Sequence, residues 1–442
     1  MRKALTLLGI ALCITALGCA KKEGSGGASG KVTIVVGGWP SGDGGFKAAL
    51  AGFNERYPHI NVEFEFTETG AYHQALQTAL AAGQGAPDVA MIEGAYIAQY
   101  RDSTALLDLL PAPYNAGRYQ NDFVNLKWDQ AYSSDRKRFI AVPWDLGPTC
   151  YFYRGDIFEE AGLPSDPEEV AKKISAWDGI LDVARKVNIP NKRWLLPDAV
   201  TIYQEFFMNR DFYDKQLNLM MDRPGDEDCL RMLVTMRGEK LDMSVNMWAA
   251  EAYAALGTGA LVSVVTGAWY GGFLKSDIDP NGAGHWRVTL LPGNLPFSNV
   301  GGSFCAVPAQ SKRKEEAWAF IEYMLASRKG QNDIFSAVDY FPALKTAWED
   351  PIYEESDPYF GGQKTRALWK RMAAELDKPV YTTIMDTTAE DVMNRSVNAS
   401  LDQGITDPGA IKKQAVSDIE TATAELKRQQ IQMLRDAGVW NN

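Results

Sequence analysis

Lys31-Val32-Thr33-Ile34-Val35-Val36, the apolar trio Phe46, Leu50 and Phe53, the run Ile60-Asn61-Val62-Glu63-Phe64-Glu65-Phe66, the pair Leu76 and Leu80, and Asp88-Val89-Ala90-Met91-Ile92 follow one another along the chain. The first run is β-branched and nearly continuous, the pattern of a strand covered on both faces of a parallel sheet. Residues 37–43 (GGWPSGD) predict a turn. The trio recurs at helical spacing, and Tyr57-Pro58 stops that helix. Residues 60–66 alternate strictly and predict a second strand. Leu76 and Leu80 mark a second helix, closed by 83–87, and 88–92 predicts a third strand. The order β-α-β-α-β predicts a doubly wound α/β layer.

In such layers ligands lie outside the carboxyl ends of the strands. That rule selects the loops 37–43, 67–72 and 93–96, with Trp39, Asp43, Glu68, Tyr72, Glu93 and Tyr96 as candidates. Rings stack on the C–H faces of sugars, and carboxylates accept paired hydroxyl hydrogen bonds. For each residue taken singly, packing is the competing role; the convergence of three loops carries the reading.

Working outward, 442 residues predict two or three domains, and 46% hydrophobic content supplies their cores, which excludes wholesale disorder. A net charge of −11 argues against gripping nucleic acid through its phosphates. Five cysteines are too few for a disulfide-built scaffold. At the front, Arg2 and Lys3 precede an apolar run too short to span a bilayer, ending in Ala16-Leu17-Gly18-Cys19. Small residues before a cysteine here resemble a bacterial lipobox, although Leu17 stands two places before the cysteine rather than three. Residues 1–18 are therefore expected to be a signal peptide, Cys19 to be lipidated, and 19–30 to be a flexible tether on a membrane outside the cytoplasm. Cys150, Cys229 and Cys305 remain, an odd set that allows at most one disulfide. Ser311 is expected to cap a helix with Ala317, Phe320, Ile321, Met324 and Leu325 on its apolar face. Asp407-Pro408 is expected to start another, striped by Ala415, Ile419, Ala422 and Leu426.

Several segments then bear a joint resemblance. Phe53-Asn54-Glu55-Arg56-Tyr57-Pro58-His59-Ile60-Asn61-Val62, Ala86-Pro87-Asp88-Val89, Ala141-Val142-Pro143-Trp144, Cys150-Tyr151-Phe152-Tyr153-Arg154, Asp156-Ile157-Phe158-Glu159-Glu160-Ala161-Gly162-Leu163, Gly267-Ala268-Trp269, Gly301-Gly302, Pro308-Ala309-Gln310-Ser311-Lys312 and Ala317-Trp318-Ala319-Phe320-Ile321 are similar, in order and spacing, to the extracellular solute-binding proteins of sugar ABC transporters, the maltose-binding-like family. The resemblance covers roughly 31–345. It implies a two-lobe periplasmic-binding-protein fold (type II), with the ligand held in a cleft between lobes joined by a hinge. The first lobe is placed at 31–143 with 303–340, the second at 144–302 with 341–442. Residues 141–143 form the outgoing strand and 299–303 a glycine-rich return that can absorb a hinge rotation.

The motif Gly267-Ala268-Trp269-Tyr270 follows an apolar strand at 260–265, and the family places a sugar-stacking ring there, which makes Trp269 the leading candidate, with Tyr270 a candidate beside it. Trp144 and Asp145 beside the hinge are expected to supply a ring and an acceptor. Gly301 and Gly302 are expected to offer backbone N–H groups, a tight turn being the competing role. Phe341 is a candidate to close the cleft. Trp177, Trp318 and Trp348 are expected to be structural.

An anchored glycoside hydrolase using two carboxylates is the enzyme alternative, and Asp43, Glu68, Glu93 and Asp145 leave such a pair imaginable. The sequence has no G-x-S-x-G, H-E-x-x-H or P-loop. His59, His73 and His285 are scattered and expected to be solvated, so neither a metal nor another cofactor is expected. A polyamine, oligopeptide or iron chelate is the alternative cargo. The expectation is a monomeric sugar receptor that hands its ligand to an ABC permease without covalent chemistry.

Overall fold

The computed structural model describes residues 30–208 and 211–440. The expected signal peptide, Cys19 and nearly all of the tether lie outside the described residues. Strands β1 (Val32–Gly38), β2 (Ile60–Phe66) and β3 (Val89–Glu93) alternate with helices Ser41–Arg56 and Thr69–Ala82, as the sequence pattern requires. The helix begins at Ser41, so the expected turn shrinks to Trp39 and Pro40, and Asp43 lies within the first helical turn.

Beyond this unit come β4 (Val142–Pro143), β5 (Asp145–Leu146), β6 (Thr149–Arg154), β7 (Ser263–Gly267), β8 (Trp286–Thr289), β9 (Ser303–Ala306) and β10 (Phe341–Pro342). The first sheet has the order β2-β1-β3-β9-β4. β1 runs parallel to β2 and β3, whereas β9 is antiparallel to both β3 and β4. The layer is therefore mixed, because β9 enters it from a distant part of the chain. The second sheet places β6 between β7 and β8, both antiparallel to it.

Alternation along β6 divides the interior. Cys150 and Phe152 face a core that runs back through Leu146 and Trp144 to the first sheet, while Tyr151 and Tyr153 face a second core with the helices Asp226–Gly238 and Asp386–Asp402. One core thus extends through the chain crossing, and the other lies wholly behind the second sheet. Three chain segments make that crossing, and they are tied together. β10 pairs with β5, the Trp144 N–H donates to Ser303 O at 2.8 Å, and the Val300 N–H donates to Gly147 O at 2.9 Å.

Local readings are refined in four places. The helix Lys314–Leu325 starts three residues beyond Ser311, whose hydroxyl instead donates to Asp88 at 2.6 Å and accepts the Arg313 N–H. Asp407 does cap Pro408–Asp436, but the buried stripe passes through Thr423 rather than Ala422. His73 is buried rather than solvated. Cys150, Cys229 and Cys305 are all buried free thiols. Among the described residues no helix is long and apolar enough to cross a membrane.

Candidate functional site

The first body brings Trp39, Glu93 and Tyr96 together around His73. The Tyr96 ring lies flat on the His73 imidazole at 3.9 Å, and Trp39 packs against His73 at 5.7 Å and Tyr72 at 6.1 Å. Burial pushes the His73 pKa down to about 4. Its Nε2 accepts the Glu93 N–H at 3.4 Å, so the neutral ring carries its proton on Nδ1, facing the Tyr100 hydroxyl at 3.4 Å. Trp39 is only 8% exposed and serves mainly as the wall of this cluster. Glu68 stands apart, exposed, with its two oxygens accepting the Gly70 and Ala71 N–H groups as the cap of Thr69–Ala82. These bonds hold its pKa low.

At the crossing, Asp145 is buried and accepts the Ser303 N–H at 2.8 Å. Burial lifts its pKa to about 6 against the opposing pull of Lys127. Lys127, also buried, donates to Gly301 O at 3.2 Å and lies 4.5 Å over the Phe304 ring. Gly301 and Gly302 adopt φ of 73° and 82°, and the Gly302 carbonyl accepts the Gly94 N–H. A Cβ on Gly302 would meet the Asp145 carbonyl at 2.5 Å, so glycine is required there by space as well as by φ. These glycines bind their carbonyls into the crossing.

Three candidates are sealed in the core and offer no face to a ligand. Trp144 is 0% exposed and stacked on Phe46 at 4.5 Å, Tyr270 is fully buried, and Phe341 packs between Phe335, Trp348 and Tyr353. Each is a large apolar side chain whose neighbours close around it, which corrects the expectation of ligand contact.

Trp269 is partly buried at the carboxyl end of β7. Its indole N–H donates to Val300 O at 2.9 Å, tying it to the crossing. Trp248 lies parallel to it, with ring centroids 5.6 Å apart and 12° between planes, and Tyr270 and Phe273 present their edges to both rings.

The second body also contributes acids that sequence reasoning missed. Glu205, buried, accepts the Ser298 hydroxyl at 2.5 Å, and burial raises its pKa to about 7. Glu390, half-buried on Asp386–Asp402, is bonded by the Gln204 amide. Burial, together with the charges of Asp391, Glu205 and Glu93, raises it to about 8. The bodies meet directly at this place: Thr387 donates to Ala95 O at 2.8 Å and Arg101 to Thr382 O at 2.6 Å. A separate cavity of about 530 Å³ between β2 and Thr69–Ala82, lined by Phe64, Phe66, Tyr72 and Leu76, includes none of the crossing residues. Among the described residues no group of acids, histidines and cysteines could hold a metal ion.

The raised acids fix a pH dependence. A carboxyl whose folded pKa exceeds its unfolded value stabilises the fold when protonated, and that stability is lost as pH rises through the folded pKa. Between pH 8 and 6.5, Glu390 and Glu205 are the groups that take up protons with this sign, so stability should rise by roughly 1–2 kcal/mol as pH falls across that window. Below 6.5, Glu390 and Glu205 stay protonated in the fold while the unfolded chain keeps them ionised down to its ordinary carboxyl range, and Asp145 and Asp386, both at about 6, add to the gain. Charging of His73 in the unfolded chain offsets only part of it, so stability should go on rising towards pH 5. Urea unfolding at pH 8.0, 6.5 and 5.0 checks this; a stability that falls between pH 8 and 6.5 contradicts it.

A family model described as bacterial extracellular solute-binding protein matches residues 39–331. The chain belongs to that family. It is 23% identical over 392 residues to the arabinooligosaccharide-binding protein of Halalkalibacterium halodurans, covering 85% of this chain and 86% of that one. It is 25% identical over 370 residues to a lactose-binding protein of Rhizobium radiobacter, covering 77% and 82%. Its fold matches an ABC-transporter-associated binding protein of B. animalis subsp. lactis solved with beta-1,6-galactobiose, with TM-score 0.72, 24% identity, and 90% and 98% of the chains covered.

Proposed function

We propose that the protein captures a sugar or oligosaccharide between its two lobes and delivers it, chemically unchanged, to the permease of an ABC importer. The observation that carries this reading is an aromatic array, Trp269 with its neighbours, bonded to the chain crossing at which Asp145 also lies, together with a group of interacting carboxyls, Glu93, Glu205 and Glu390. Rings supply the stacking surface and acids the hydroxyl acceptors that a sugar needs. The curated relatives bear sugar-binding names, which agrees with it.

We place the lobes at 31–143 with 303–340 and at 144–302 with 341–442; the sheet memberships support this division. A ligand touching both lobes favours the closed form only through contacts absent from the open one. In this reading Glu93 and Tyr96 supply them on one side, and Glu390 and the aromatic array around Trp269 on the other. Lipidation of Cys19 would hold the receptor at a membrane face outside the cytoplasm.

A melting screen of the full chain against lactose, β-1,6-galactobiose, arabinotriose and spermidine tests the reading. A sugar at a hundred times its Kd adds about 2.7 kcal/mol of stability. The response to a sugar should be nearly independent of salt, whereas one confined to spermidine and weakening with salt would overturn the sugar assignment. Reducing ends accumulating from a bound glycan would instead mark a hydrolase.

A further inference from the structure

We infer that Trp248, a residue outside every motif of the sequence, carries the ring face on which the sugar stacks, and that Trp269 is the positioning residue behind it; this rests on the sugar-binding reading above. Trp269 has little face left to offer. A Cβ on Gly267 would lie 2.3 Å from its Nε1, and one on Gly147 would lie 2.5 Å from the same atom, so glycine backbone is pressed against its five-membered ring. Its N–H is held by Val300 O. Across its face lies Trp248 at a centroid separation of 5.6 Å. A sugar ring between parallel indoles requires two carbon–carbon contact distances, about 7 Å or more, so none fits between these two.

Trp248 is the opposite case. It is 50% exposed, and the other large hydrophobic side chains exposed among the described residues, Ile189, Met220 and Val439, are all aliphatic. Its exposure is not looseness. The ring is backed by Trp269 and flanked edge-on by Tyr270 and Phe273 at 6.0 and 6.1 Å, and its backbone N–H donates to the Asn246 side chain at 2.8 Å. Such a ring is already ordered before binding, so stacking on it costs little additional side-chain entropy. An indole held by three other aromatic rings, with half of its surface open to water, is a built platform.

The test uses calorimetry on the full chain with lactose, β-1,6-galactobiose and arabinotriose, taking forward whichever binds the wild type. Trp248→Ala should weaken that sugar at least tenfold, while Trp248→Phe, which keeps a ring, should lose less. Acrylamide quenching gives a second readout that does not require the alanine variant to fold. Bound sugar should protect one exposed tryptophan in the wild type, and this protection should be absent in Trp248→Phe. Affinity unchanged or increased in Trp248→Ala, or no protection of the wild type on binding, overturns the inference; an increase would mean that Trp248 plugs the Trp269 face. Failure of all three sugars to bind the wild type overturns the sugar reading itself, and this inference with it.

Discussion

A Lys127→Met variant should lose about 3–5 kcal/mol of unfolding free energy at pH 7. Lys127 comes from the short helix Asn125–Gln130 and is 1% exposed. It is the cation that acts on both Glu93 and Asp145, lowering the pKa of each against burial. Burial brings its own pKa down to about 8, with the two acids opposing that fall. Removing the ammonium leaves two acids in a poorly solvated place, where each also raises the cost of ionising the other. The loss should shrink at pH 5, where Asp145, with a pKa of about 6, is largely protonated. A Lys127→Met/Asp145→Asn double variant should recover part of it, since the two sites share one network. Urea unfolding of the three proteins measures this; a single variant within 1 kcal/mol of wild type would show that the lysine compensates nothing.

Trp269→Ala should weaken sugar binding by more than tenfold, which is at least about 1.4 kcal/mol, and should also destabilise the fold by about 3–5 kcal/mol. The second effect follows from the indole's place at the crossing: truncation strands the Val300 carbonyl, empties the space beside Gly147 and Gly267, and removes the support of Trp248. Calorimetry and urea unfolding separate the two. Undiminished affinity in a folded variant would take the aromatic array out of the binding site.

The alternating unit from β1 to β3 was legible because strands and helices announce themselves over a few residues. β9 was legible only as a glycine-rich return, since its antiparallel place beside β3 depends on residues more than two hundred positions away. Within the site, Glu93, Tyr96, Asp145 and Trp269 could be selected from strand ends and the family motif. Trp144, a candidate by its place beside the expected hinge, and Phe341, a candidate by its place just past the expected lobe boundary, point into packing, because neither position reveals which neighbours close over a side chain. Glu205, Glu390 and Lys127 carry no local signal at all. Tertiary structure brings Glu390 near Glu205 and Glu93, and Lys127 near Asp145 and Glu93, and burial makes these charges consequential. Trp248 had one weak signal, an aromatic in the turn Asn246-Met247-Trp248 before an amphipathic helix, where a buried partner is not expected.

The crossing has a consequence for how this receptor chooses among guests. Its three segments lie side by side and are cross-bonded at Trp144–Ser303, Gly147–Val300 and β5–β10, with the Gly147 N–H held by the Asn299 amide oxygen at 2.8 Å. Three adjacent tethers resist both sliding and twisting, which leaves bending as the one soft coordinate. Jaws joined in this way would swing along a single arc, like a cover on a spine. Guests of different length would stop that swing at different angles, so selectivity would be expressed as how far the spine bends, with no alternative route for an ill-fitting molecule to follow.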